Sequence, residues 1–107
     1  MEFANTPKPP YFAVIFTSIQ SENIENYQVI ANRMLELVQK QSGFLGVESA
    51  REEIGITVSY WQSLEAILNW KSNFEHQEAQ YLGKNQFYQS YQVRICKVER
   101  EYSFQRN

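Results

Sequence analysis

The sequence predicts an α+β fold: a four-stranded antiparallel sheet with helices on one face, in the order strand-helix-strand-strand-helix-strand. Three observations carry it. Period-two apolar segments at Tyr11–Ile19, Phe44–Arg51, Ile54–Trp61 and Tyr91 to about Tyr102 read as strands. Between the first two lies one stretch of helical period, and between the last two lie two shorter ones. The turn at Glu52-Glu53 joins the second and third strands as a hairpin. That succession of elements is the split ferredoxin-like arrangement βαββαβ.

The chain opens with Pro7, Pro9 and Pro10 beside Asn5 and Lys8, so residues 1–10 are expected to be an extended arm outside the core. In the first strand, Tyr11, Ala13 and Ile15 alternate with Phe12, Val14 and Phe16. Ser21 and Asn23 are both expected N-caps for the first helix. Its apolar stripe runs through Ile24, Tyr27, Ala31, Met34 and Val38, widened by Ile30 and Leu37, and Gly43 is expected to end it. Ser63 opens a short helix marked by Leu64, Ile67 and Leu68. A second helical piece is expected from about His76 to Tyr88, with His76, Ala79, Gly83 and Phe87 near one face. Residues 11–102 form one domain, and 103–107 a C-terminal tail.

Composition narrows the functional classes. The 107 residues suffice for a single core. Ten basic against twelve acidic residues give a net charge of −2, with charge dispersed along the chain, which argues against a nucleic-acid protein. Cys96 is the sole cysteine, so no internal disulfide can form, and a reducing compartment suits it. Met1 to Pro10 holds no apolar core of a signal peptide, and no apolar run is long enough to cross a bilayer. The expected location is cytoplasmic.

Both faces of the strands are apolar, which a lone four-stranded sheet with helices on one side does not need. Besides the first strand, Phe44 opposes Leu45 and Val47 in parity, and Val93 and Ile95 oppose Cys96 and Val98. A monomer leaves such a face bare. A homodimer closing two sheets face to face into an α/β barrel is therefore expected, through the open sheet face.

The chain is poor in conventional catalytic groups. One histidine and one cysteine, twenty positions apart, make no metal cluster, and four scattered glycines make no phosphate loop. His76 is the only side chain whose ordinary pKa lies near neutrality, which makes it the general-base candidate; a satisfied surface histidine near a helix start is the competing reading. Trp70 reads as a wall for a flat ligand or as a packing residue beside Ile67 and Leu68. Asn69 and Arg94 are candidates to hold a developing anion, against the plainer readings of a surface amide and a strand-face cation. Tyr60, Tyr81, Tyr88 and Tyr91 enrich the same region in aromatics, as cavity lining or as interface, and Tyr60 and Tyr88 are taken as ligand-binding candidates.

Gly43-Phe44-Leu45-Gly46-Val47-Glu48-Ser49, Gly55-Ile56-Thr57-Val58-Ser59-Tyr60-Trp61, then Trp70, Glu75-His76, Ala79-Gln80, Gly83, Tyr88 and the run Val93 to Arg100 together resemble the antibiotic biosynthesis monooxygenase domain family. The resemblance spans roughly residues 11–102. It implies a dimeric α+β barrel and, in some members, oxidation of polycyclic phenols or anthrones by molecular oxygen with no cofactor; other members degrade haem. In the haem-degrading branch an asparagine of the first strand, a tryptophan and a histidine form the site. Trp70 matches that tryptophan, but Phe12-Ala13-Val14-Ile15-Phe16 contains no asparagine, and the family histidine falls nearer Gln80 than His76. The resemblance thus implies a cofactor-independent monooxygenase acting on a small aromatic. A non-catalytic dimer binding a small ligand is the alternative, with haem binding third.

Overall fold

The computed structural model describes residues 2–106; Met1 and Asn107, the outermost residues of the expected arm and tail, lie outside them. The elements are β1 (Tyr11–Gln20), α1 (Tyr27–Val38), β2 (Phe44–Arg51), β3 (Gly55–Trp61), α2 (Leu64–Lys71), α3 (Phe74–Leu82), a π-helical turn (Gly83–Phe87) and β4 (Tyr88–Val98). The four strands form one sheet in the order β2-β3-β1-β4, and every neighbouring pair is antiparallel. This is the α+β ferredoxin-like fold that the order of apolar segments predicts.

Register assigns the two faces, because paired residues of antiparallel strands point the same way. Phe12 pairs with Trp61 and Lys97, Val14 with Ser59 and Ile95, and Phe16 with Thr57 and Val93. The Trp61 side chain is wholly buried against Val38 of α1 and Ala66 and Ile67 of α2, with Phe12, Val14, Phe44 and Trp70 around it. These residues therefore define the helix side. The other parity carries Tyr11, Ala13 and Ile15, opposite Tyr60, Val58, Cys96 and Arg94, on the open side.

Several element boundaries differ from the sequence expectation, each for a local reason. The first helix starts at Tyr27 and not after Ser21 or Asn23. The Ser21 backbone N–H donates to the Phe87 carbonyl at 2.8 Å, and its hydroxyl donates to the Gln86 carbonyl, so this segment is a loop tied to the π-helical turn. Asn26, in the left-handed region at φ 65°, precedes the helix without a side-chain cap. The helix ends at Val38, and Gly43 at φ 84° turns the chain into β2. A Cβ there would lie 2.6 Å from that of Ala66, so both conformation and space call for glycine.

The helical piece expected from about His76 to Tyr88 starts two residues earlier, at Phe74, and changes from α to π geometry at Gly83 before ending at Phe87. Tyr88 opens β4 by pairing with Gln20, past a shift in register at Ile19/Gln20. At its far end β4 stops at Val98, which pairs with Tyr11, the first residue of β1. Pro9 and Pro10 precede Tyr11 and carry no backbone N–H, so the ladder has no donor to continue on.

The helix layer covers the sheet unevenly. Val93 and Ile95, on the helix side of β4, are 47% and 55% exposed, while Val14 and Phe16 of neighbouring β1 are half-buried. An apolar wall on β1 and β4 thus stands open beside the helices. No described helix is long and apolar enough to cross a membrane.

Candidate active site

The site grows from one buried aromatic. Trp61 ends β3, donates its indole N–H to the Ser59 hydroxyl at 2.9 Å, and meets Phe44 edge to face at 5.3 Å. Two residues on, Ser63 caps α2 by accepting the Ala66 N–H at 3.1 Å, with Glu65 in the first turn favouring the same end. The eight residues of α2 bring Trp70 back over Trp61, with ring centroids 6.5 Å apart and planes 29° from parallel.

A second cap follows at once. Asn73 accepts the His76 N–H at 3.2 Å and starts α3, while its own backbone N–H donates to the Trp70 carbonyl at 3.0 Å. This tight junction lays the His76 imidazole on the Trp70 indole, centroids 4.2 Å apart and planes 12° from parallel. His76 Nδ1 lies 3.0 Å from the same Trp70 carbonyl oxygen. A carbonyl only accepts, so Nδ1 carries the proton and donates, and Nε2 holds the lone pair. Burial lowers the imidazole pKa from its ordinary value, and the bond to the Trp70 carbonyl opposes that effect in part. His76 is thus neutral at pH 7, with its tautomer set by the backbone.

The neighbouring residue secures the helix. Arg33 of α1 forks onto Glu75, with Nε and Nη2 donating to the two carboxylate oxygens at 2.8 Å each. The guanidinium holds the Glu75 carboxyl below the usual carboxylate range, and Glu75 in turn raises Arg33. α1 is thereby tied to the first turn of α3, beside His76.

Of the six candidates read from the sequence, the structure brings His76 and Trp70 into contact. Asn69 adjoins Trp70 on α2 but is exposed. Arg94 is exposed on β4 and pairs opposite Ile15, which puts it on the open side. Tyr60 also faces that side and donates its hydroxyl to Glu48 at 2.7 Å; burial, then the carboxylate, pushes its pKa up to about 12. Tyr88 lies at the start of β4, donating to the Tyr27 hydroxyl at 3.2 Å and touching Phe16 edge to face at 5.3 Å; burial first, then the Tyr27 bond, raises its pKa.

Sequence reasoning passed over Arg51. Its guanidinium occupies the space over Gly55 that a Cβ would fill, Nη2 donates to the buried Ser18 hydroxyl, and Nη1 is buried without a partner among the described residues. The available signal was the pair itself: an arginine ending one hairpin strand with a glycine opening the next. Glu48 and Glu101 were also missed. Glu48 lies within β2, and Glu101, which falls inside the last strand as the sequence predicts it, lies beyond the end of β4 in the structure.

Comparison with known proteins agrees with this architecture. Residues 10–81 match the family model described as antibiotic biosynthesis monooxygenase. The chain is 52% identical over 110 residues to the uncharacterized protein YqjZ of Bacillus subtilis, covering 100% of this chain and 96% of that protein. Among solved structures, Rv0793 of Mycobacterium tuberculosis superposes with a TM-score of 0.76 at 10% identity, covering 87% of this chain and 99% of the other. SnoaB, a cofactor-independent oxygenase from Streptomyces nogalater, does so with a TM-score of 0.74 at 8% identity, covering 87% and 97%. At such identities the structural likenesses speak for the fold, while the sequence matches speak for kinship: the chain belongs to the antibiotic biosynthesis monooxygenase family.

Proposed function

We propose that the protein is a cofactor-independent monooxygenase acting on a small, flat, acidic aromatic of the phenol or anthrone type. The observation that carries this reading is the His76–Trp70 pair: a neutral imidazole with its proton held at Nδ1, leaving Nε2 as an acceptor beside an indole face. Family membership and the likeness to SnoaB, itself a cofactor-independent oxygenase, support it.

In this reading His76 Nε2 takes a proton from the substrate, and its low proton affinity keeps it ready to do so at neutral pH. The resulting anion gives one electron to dioxygen, and the two radicals combine at carbon. One oxygen atom stays as the new carbonyl, and the other leaves as water with two substrate hydrogens: both from the methylene carbon of an anthrone, or one from carbon and one from the hydroxyl of a phenol. In this reading Trp70 and the open apolar wall of Val93 and Ile95 hold the ring, and Asn69, beside Trp70 on α2, is the amide assigned to the developing charge. Arg94 and Tyr60 lie on the other face of the sheet, while Tyr88 touches Phe16, the partner of Val93, at the end of this wall.

The test is oxygen uptake with anthrone and polycyclic phenols, in wild type and His76→Ala. Turnover that disappears in the variant while the fold persists supports the reading; turnover that survives unchanged overturns it.

The reading includes a homodimer through the open sheet face. Its support is the apolar surface that Ile15, Val58 and the exposed Ile19 and Ile56 present there. Sedimentation equilibrium of wild type against Ile56→Asp checks it, and a wild-type monomer at micromolar concentration overturns it.

One observation favours a second reading, a non-catalytic protein that binds a small ligand. Two surface cavities, of about 370 and 210 Å³, are lined by neither His76 nor Trp70. Aromatic binding retained by His76→Ala, with no turnover by either form, is the result that selects it.

A further inference from the structure

The apolar wall on the helix side of β1 and β4 ends in a cation. Thr57, Phe16 and Val93 form one rung across β3, β1 and β4, and Ser59, Val14 and Ile95 form the next. The third rung is Trp61, Phe12 and Lys97. Lys97 therefore stands on the same side of the sheet as the Trp61 ring, on which Trp70 and His76 are stacked. Two strand spacings, about 10 Å, separate the Lys97 and Trp61 backbones, with the half-buried Phe12 between them. Ile95 lies one rung away, about 7 Å along β4.

Strand parity decides which cation reaches this wall. Arg94 precedes Lys97 by three positions, an odd step, so it pairs opposite Ile15 and faces the open side. The helix-side arginines are already engaged. Arg33 forks onto Glu75, and Arg51 donates to Ser18 beside Gly55, at the far end of β3 from Trp61. Lys97 is exposed, and no carboxylate of the described residues lies within ion-pair distance of it. Its ammonium is thus free at the edge of an open apolar surface.

Such an edge suits a ligand that is flat and anionic. A ring beside Trp70 covers Ile95 and Phe12, and an oxygen at its rim accepts from the ammonium on its four-carbon stem. A full positive charge stabilises that oxygen more, once ionised, than the neutral amide of Asn69 does. It also lowers the cost of removing the proton, the step assigned above to His76.

From the register of these rungs we infer that Lys97 holds the ligand's anion, and that it selects the ionised form of a flat phenol or enol. The inference rests on the His76–Trp70 reading for where the ligand lies, but not on any oxidation of that ligand.

The experiment is titration of the full chain with 4-nitrophenol, whose phenol and phenolate differ in visible absorption. The phenolate is expected to bind wild type about tenfold more tightly than the phenol, so the bound ligand's pKa falls by about one unit. Lys97→Met, at an exposed position, should keep the circular dichroism of wild type and lose most of that preference, and Lys97→Arg should restore it. All three forms retain His76, so a proton taken up there does not distinguish them. Lys71→Met removes the exposed cation that follows Trp70 on α2 and should leave the preference unchanged. A preference that survives in Lys97→Met, or that Lys71→Met removes, overturns the inference and makes Lys97 a solvated surface residue. So does the absence of 4-nitrophenol binding. Oxygen uptake keeps the two readings apart: a phenolate preference that depends on Lys97, without uptake on anthrone, removes the oxygenase and leaves the anion site standing.

Discussion

Tyr60 and Trp61 are consecutive residues of one strand, yet they belong to opposite kinds of aromatic environment. Trp61 points to the helix side and is sealed among Val38, Ala66 and Ile67, with the Trp70–His76 stack above it. Tyr60 points to the open side, at right angles to Tyr11, with its hydroxyl on a carboxylate. The helix-side cluster takes its polar bonds from a serine hydroxyl and a backbone carbonyl, and its one titratable group is biased toward neutrality. The open-side cluster donates its hydroxyls to two acidic side chains. Aromatic content alone therefore says little about what a surface binds; the partners of the polar tips decide it.

Removing the central ring should break the helix side most severely. Trp61→Ala deletes a wholly buried side chain against which α1 and α2 pack, and a loss of about 3–5 kcal/mol is expected in urea unfolding. Tyr60→Phe, by contrast, keeps its ring and loses one partly exposed hydrogen bond, so its cost should be near 1 kcal/mol. If the two variants prove equally destabilising, the distinction between a packed and a solvated aromatic cluster fails.

Gly43→Ala comes next. The substitution combines a positive φ with a Cβ placed 2.6 Å from that of Ala66, and should cost about 2 kcal/mol by displacing α2 from the sheet. Since α2 carries Trp70, near-ultraviolet dichroism of the tryptophans should change with it. A cap substitution is milder. Asn73→Ala removes the acceptor for the His76 N–H and should cost about 1 kcal/mol, seen as a lowered urea midpoint.

Titration offers the smallest but most diagnostic contrast, because the two sides respond at opposite ends of the pH scale. His76 has a folded pKa below its ordinary value of 6.5, so its contribution is present above that pH and is lost as pH falls toward the folded value. Tyr60 has a folded pKa of about 12, above its ordinary 10.0, so its contribution is complete below pH 10 and is lost as pH rises toward 12. Unfolding midpoints measured across pH should show His76→Gln flattening the acid limb and Tyr60→Phe reducing the alkaline one. The reverse assignment would contradict the environments described above.

The fold was legible wherever a residue's neighbours in sequence resemble its neighbours in space. Strand alternation located Phe44–Arg51 residue for residue, since the hairpin partner lies a few positions away. Ser63 announced α2 because an N-cap bonds its own first turn. The start of α1 was misplaced because Ser21 bonds Gln86 and Phe87, more than sixty positions distant, and nothing local reports that. The end of β4 depended on where β1 begins, not on its own composition.

The chemistry followed the same division. Residue types and spacing were enough to single out His76 and Trp70 and to recognise the family, because one histidine among few reactive groups stands out in any arrangement. Which nitrogen of that histidine bears the proton depends on a carbonyl six residues back, and only the junction of α2 with α3 placed it there. The pairing of Glu48 with Tyr60, of Glu101 with Tyr11, and of Arg51 with Ser18 joins residues separated by as many as ninety positions. Periodicity determines which side of an element is apolar, a property of each segment alone. The meeting of polar tips is decided by register and by where the chain ends cross the sheet, and those are properties of the folded whole.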